Sequence, residues 1–183
     1  PDHRPAHMIE TERLILRDWG DADLEPYADI MVHPDVGTWL GGPFSREQAH
    51  ERVARFRASL AATGLGRLAV ERKSDGRLIG HCGLAPTAPD QAMPQGLEMG
   101  WALAPDAWGG GYATKAARAV LDDSFARRSP DEILAFTGTT NLRSQGVMQR
   151  LGMVRMPERD FDHPLLAADH PLRRHVVYAA LRP

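Results

Sequence analysis

Pro105-Asp106-Ala107-Trp108-Gly109-Gly110-Gly111-Tyr112-Ala113-Thr114 sets three consecutive glycines between two patterned apolar segments. A short apolar run, Leu97 to Ala104, precedes it, and an alanine-rich amphipathic segment, Ala113 to Arg128, follows it. The order is strand, glycine turn, helix. Three consecutive glycines allow a tight turn and keep side chains away from the start of the helix. The first-turn amides of that helix lack partners within it and lie at the positive end of its dipole. They suit a phosphate or a pyrophosphate. A tight turn with no ligand accounts for the glycines equally well, and the glycines alone leave both readings open.

The flanking segments extend the pattern. Before the turn, Leu97, Met99, Trp101 and Leu103 alternate with Glu98, Gly100 and Ala102, which predicts a strand with one bulky apolar face and one small or polar face. After it, Ala113, Ala116, Ala117, Val120, Leu121 and Phe125 fall on one side of a helix, and the alanines allow close approach to a sheet. Further on, Glu132 to Thr139 predicts a strand. Asn141 caps a helix from Leu142 to Leu151, and Gly152 ends it. Met153 to Met156 and Arg174 to Leu181 predict strands on either side of a polar excursion, Phe161 to Pro171.

Upstream, Ile9 to Trp19 predicts a first strand. Asp21 is placed to cap a helix from Ala22 to Met31, which His33-Pro34 ends. Val36 to Pro43 reads as a loop. Ser45 and Gln48 form a capping box for a second helix with the stripe Ala49, Val53, Phe56 and Leu60, stopped at Gly64 or Gly66. Arg67 to Arg72 and Leu78 to Leu84 predict a hairpin around Asp75-Gly76, and Pro86 to Gln95 a proline-rich loop. This order gives an α+β fold, a mixed sheet flanked by about four helices.

Composition narrows the class. The 183 residues suit one domain, and 43% hydrophobic with 25% charged residues is ordinary for a soluble globular protein. A net charge of −2 gives no overall basic field for nucleic acid or a membrane surface. The apolar runs are too short to span a bilayer, and there is no leader of the charged-then-apolar kind. The lone Cys82 cannot form an internal disulfide and fits a reducing cytoplasm, the expected location. Residues 1–8 are expected to be a flexible arm and 9–183 a single domain.

Three stretches, in this order and spacing, resemble the GCN5-related N-acetyltransferase (GNAT) superfamily, and within it the RimJ/RimL-type N-acetyltransferases. They are Thr11-Glu12-Arg13-Leu14-Ile15-Leu16-Arg17, the run from Glu98-Met99-Gly100-Trp101 into Trp108 through Thr114, and Asn141-Leu142-Arg143-Ser144 with Arg150-Leu151-Gly152-Met153. The resemblance covers roughly Ile9 to Leu181. It implies a V-shaped split between the fourth and fifth strands, here Leu97 to Ala104 and Glu132 to Thr139. It implies pantetheine paired to the backbone of the fourth strand at Met99, Gly100 and Trp101. The acetyl-CoA pyrophosphate would then rest at Trp108, Gly109, Gly110, Gly111, Tyr112, Ala113 and Thr114. The family often has Gln or Arg where this chain has Trp108, which removes one side-chain donor and leaves the amides intact.

Acetyl transfer to an amine needs a base, donors for the oxyanion, and stabilisation of the leaving thiolate. Glu98 matches the acidic residue of the family's fourth-strand motif. Small Gly100 and Ala102 on the same face would leave it an open cleft. A salt bridge at the strand edge is the other reading. A main-chain amide near Met99 or Gly100 would serve the oxyanion. The family's thiolate-protonating Tyr matches Met148, which has no proton to give, and the RimJ/RimL pattern suggests Ser144 instead. Ser144 reads equally well as a first-turn serine bonded to local backbone. Asn141 is a helix cap that the family also places near pantetheine. Cys82 sits in an expected buried strand with nothing to activate it. His81 reads as a strand histidine at the edge of the acceptor cleft. His163, His170 and His175 lack metal-ligand spacing, so no metal is expected.

The expected activity is therefore acetyl transfer from acetyl-CoA to a primary amine, a protein N-terminus or a small molecule, by direct attack in a ternary complex. The loop Val36 to Phe44 and the excursion Phe161 to Pro171 would border the acceptor. A non-catalytic acyl-CoA-binding module on the same fold is the competing reading. The family includes monomers and dimers, so a homodimer is compatible. A P-loop enzyme is excluded because no Gly-Lys-Ser/Thr follows the glycines.

Overall fold

The computed structural model describes residues 8–89 and 92–183. Residues 1–7 of the expected 1–8 arm and two residues of the proline-rich loop lie outside them. The first predicted strand is two: β1 (Ile9–Glu10) and β2 (Leu14–Arg17), paired antiparallel with Ile9 opposite Leu16. Thr11 is the cause. Its Oγ1 accepts from the Leu14 amide at 3.0 Å and closes a turn in mid-run.

A 3₁₀ turn at Asp21–Asp23 leads into α1 (Leu24–Met31). Asp21 is not the cap. Asp23 accepts the Gly20 amide at 2.8 Å, while Asp21 pairs with Arg57 on the surface. The expected loop after His33 is helical in part. It contains α2 (Pro34–Gly37), with proline at its first position where no N–H is needed, and a 3₁₀ turn at Thr38–Leu40. The capping box of α3 (Arg46–Thr63) is present as predicted. Ser45 Oγ accepts the Gln48 amide at 3.1 Å and Gln48 Oε1 accepts the Ser45 amide at 2.9 Å. Gly64, at φ 72°, ends it.

β3 (Arg67–Arg72), β4 (Arg77–Pro86) and β5 (Leu97–Leu103) form an antiparallel meander. The glycine turn feeds α4 (Tyr112–Arg128), then β6 (Glu132–Gly138), α5 (Leu142–Arg150), β7 (Val154–Arg155), β8 (Phe161–Asp162) and β9 (Arg174–Leu181). The strands make one sheet in the order β1-β2-β3-β4-β5-β6-β9-β7, with β8 also on β9. Every pairing is antiparallel except β5 with β6. That parallel pair meets at one register position, Glu98 opposite Leu134. Beyond it β5 and β6 diverge, and the sheet splits.

Helices cover both faces. The α4 alanines Ala116 and Ala117 are fully buried with Leu14, Ile79, Cys82 and Met148 on one face. On the other, α1 and α3 enclose Trp19, Tyr27, Val53 and Ala69. Trp19 and Tyr27 meet edge to face at 4.9 Å. No helix of the described residues is long and apolar enough to cross a membrane.

Candidate active site

The split opens a cleft of about 500 Å³ between β5, β6 and the excursion that precedes β9. Strand alternation decides what β5 presents. Met99 and Leu103 point into the α4 layer, so Glu98, Gly100 and Ala102 face the α1–α3 side. Glu98 lines the cleft with its side chain 22% exposed, and its Oε2 lies 3.4 Å from Arg67 Nη2. It is a partly buried carboxylate with one counter-ion, not a surface salt bridge. Burial pushes its pKa above the ordinary glutamate range, and the Arg67 and Arg52 charges oppose that rise.

Arg67 is the main residue the sequence did not reveal. Its register partner on β4 is Gly83, and Gly83 in turn pairs with Gly100 on β5. The guanidinium crosses this glycine row, donating from Nη1 to the Gly83 and Glu98 carbonyls. A Cβ at Gly100 would lie 2.6 Å from Arg67 Cζ. The space beside Glu98 is therefore not open, as its small neighbours suggested. Glycine is required there because an arginine fills the gap.

At the other end of β5, Gly109 and Gly111 adopt φ of 82° and 78°, the left-handed region where glycine is unstrained. Nothing lies within 4 Å of the position a Gly109 Cβ would take. Gly111 precedes α4 and no side chain caps its first turn. Arg13 braces the turn from outside. Its Nη2 donates to the Gly110 carbonyl at 2.8 Å and its Cζ stacks 4.4 Å from the Tyr112 ring centroid. Arg150 donates to Thr114 Oγ1 at 3.2 Å. Trp108 donates from Nε1 to the Leu103 carbonyl at 3.0 Å, and Arg143 lies 3.6 Å above its ring.

Of the residues predicted for the donor, Met99, Gly100, Trp101, Trp108, Ala113, Asn141 and Ser144 line the cleft. Gly109 through Tyr112 and Thr114 form the turn at its outer end. Asn141 caps α5 by accepting the Ser144 amide at 3.2 Å, and its Nδ2 donates to Thr137 Oγ1 at 3.1 Å. Ser144 lines the cleft, and Met148, also at its lining, is otherwise buried in the core.

The rest of the cleft has α1, α3 and β4 on one wall. His81 is buried and its Nδ1 lies 3.0 Å from Tyr27 Oη. Burial holds it well below the usual histidine range, so it is neutral. Arg52 Nε donates to the same Tyr27 oxygen at 3.4 Å. Tyr27 Oη thus bridges the two, accepting from Arg52 and sharing one hydrogen bond with His81 Nδ1. The opposite wall stacks Phe136, Phe161, His163 and His175, with the two histidine rings 5.0 Å apart. Burial lowers His175 to about 4. Cys82 is fully buried and its thiol is pushed up to about 12, so it is inert at neutral pH. Among the described residues, no group of three or more His, Cys, Asp and Glu is placed to hold a metal ion.

Comparison with known proteins gives the same class. The family described as "Acetyltransferase (GNAT) domain" matches residues 13–154. An uncharacterized Bacillus subtilis protein, YkkB, is 31% identical over 146 residues, 79% of this chain and 84% of that protein. A crystal structure of an acetyltransferase from Agrobacterium tumefaciens superposes with a TM-score of 0.77 at 28% identity, covering 95% of this chain and 94% of that one. RimL, a ribosomal L7/L12 alpha-N-protein acetyltransferase solved with coenzyme A, shares the fold at a TM-score of 0.76 and 13% identity, over 96% of this chain and 98% of that one.

Proposed function

This chain belongs to the GNAT acetyltransferase family, and from that premise we propose that it moves the acetyl group of acetyl-CoA to a primary amine by direct attack in a ternary complex. The observation that carries the proposal is Glu98, a carboxylate of raised pKa on the cleft side of the strand that borders the split. The acceptor is a small-molecule amine or a protein N-terminus. We take 9–183 as one catalytic domain.

The donor site fits the residues present. The uncapped first turn of α4 supplies amides of positive potential. The free space over Gly109 lets a pyrophosphate approach the backbone. β5 beyond Glu98 has no register partner on β6, so its edge is available to the pantetheine amides. Asn141 and Ser144 border the same channel.

Glu98 takes the proton of the attacking ammonium, directly or through one water. Its raised pKa brings it nearer to neutrality and makes it a better base than an exposed glutamate. Arg67 keeps the carboxylate ionised and fixes its orientation. A main-chain amide at Met99 or Gly100 serves the oxyanion, and the Ser144 hydroxyl serves the departing thiolate. Cys82 takes no part.

Free-thiol release with a panel of amines and N-terminal peptides tests the proposal. Turnover dependent on both acetyl-CoA and an amine is expected. Tight CoA binding with no turnover across the panel would favour a non-catalytic acyl-CoA-binding module.

A further inference from the structure

Arg52 and Arg143 line the cleft without an ion pair to any described residue, and Arg52 is the one on the α1–α3 wall. Five charged side chains line the cleft among the described residues: Asp35, Arg52, Arg67, Glu98 and Arg143. Arg67 and Glu98 pair with each other. Arg143 lies over Trp108 at the donor end. Asp35 is at the mouth, 67% exposed, beside His33. Arg52 has no carboxylate partner among the described residues. Its guanidinium lies 5.1 Å from the Phe44 ring centroid and 5.6 Å from that of Phe56, and only Nε is hydrogen-bonded, to Tyr27.

That environment fixes the group without satisfying it. The aromatic faces and Tyr27 hold the planar fork in place. Neither Nη group has a hydrogen-bond partner among the described residues, and Arg52 is half-buried. A guanidinium held in place with its fork open to the cleft can bind a carboxylate with two parallel bonds. It also repels an ammonium, so it stands against polycationic amines. The surrounding walls are apolar, from Trp39, Phe44 and Leu166. Leu166 reaches the far side of the mouth, where its Cδ2 would lie 3.1 Å from a Cβ on Gly41.

We propose that the acceptor is a small amino acid whose carboxylate is held by the Arg52 fork while its amine is presented to Glu98. This deepens the acetyl-transfer reading and rests on it. The Arg52–Tyr27–His81 chain then positions the acceptor's acid end, and the Arg67–Glu98 pair works on its amine end.

The test measures thiol release with L-leucine, L-phenylalanine and β-alanine, each beside its carboxamide, for the wild type and Arg52→Gln. A charge-assisted fork predicts that the wild type favours each acid over its amide by at least about tenfold in kcat/KM. Arg52→Gln is expected to lower the acids far more than the amides, and Arg52→Lys, which keeps the charge and loses the fork, to recover only part. Equal use of acids and amides by the wild type overturns the proposal, as does faster acetylation of a carboxamide-blocked peptide than of any acid. Equal loss of acids and amides in Arg52→Gln, with CoA affinity and circular dichroism as in the wild type, also overturns it. A variant that fails to fold leaves the wild-type acid–amide comparison to decide. If no amine is acetylated, the acetyl-transfer reading falls by itself. The carboxylate subsite is then judged by calorimetric titration of N-acetyl-leucine against its amide into the CoA-saturated protein. Tighter binding of the acid sustains the subsite, and equal binding removes it.

Discussion

Glu98 and Arg67 form one unit, and neither has its properties alone. Burial raises the Glu98 pKa, and the arginine limits that rise. Removing the arginine charge while keeping bulk, as in Arg67→Met, should raise the Glu98 pKa further. The acidic limb of the kcat/KM profile should then move to higher pH, with acetyl-CoA affinity little changed; a limb at its wild-type position would separate Arg67 from the base. Gly100→Ala should act in the same direction more weakly, because its Cβ displaces the guanidinium. The place of Glu98 was legible because strand alternation put it opposite the bulky face of β5, and the family resemblance singled it out there. Arg67 could not, because its position depends on the register Arg67–Gly83–Gly100 across three strands. Register is a tertiary property that no single segment carries. Arg52 left a fainter trace, one turn before Phe56 at the edge of the α3 stripe.

Among the elements, those with local signals were legible. The capping box at Ser45, the Asn141 cap, the Asp75-Gly76 hairpin and the glycine turn each bond within a few residues, so the chain encodes them nearby. The exceptions have local causes too. Thr11 breaks the first strand, and Pro34 begins a helix as well as ending one, since its fixed φ suits a first position. The two caps differ in their place in the molecule. Ser45→Ala and Asn141→Ala should each cost about 1 kcal/mol of stability, read as the midpoint of chemical denaturation. Ser45 lies outside the cleft lining, so its loss should leave turnover near the wild-type value. Asn141→Ala should also weaken CoA binding, measured by calorimetry. Equal CoA affinity in the two variants would reduce Asn141 to a cap alone.

At the scale of the whole molecule, the single-position pairing of β5 with β6 makes the site. One sheet is held together on both sides of a gap by α4 beneath β1–β5 and by β9 beyond β6. The family resemblance indicated where the gap falls, and the two segments expected beside it, Val36 to Phe44 and Phe161 to Pro171, do line the cleft; the wall that pairs His163 with His175 on β9 was not legible, because it depends on how the excursion folds back onto that strand. That wall has a cost in acid. In the unfolded chain a histidine takes its proton near pH 6.5, whereas His175 in the fold takes one only near 4. Between those values the unfolded state binds more protons, so stability should fall as pH drops through the window. His175→Phe should flatten that fall, seen as a smaller shift of the denaturation midpoint between neutral pH and about pH 4; an unchanged slope would assign the loss elsewhere. The pH dependence of kcat/KM for the wild type and Glu98→Gln decides whether Glu98 is the base of an acetyl transfer in this split. The wild type should show an acidic limb above the ordinary carboxylate range. Glu98→Gln should lose that limb and at least about a hundredfold of its neutral-pH rate while binding CoA as before, whereas a variant with the same rate and the same limb would contradict the account.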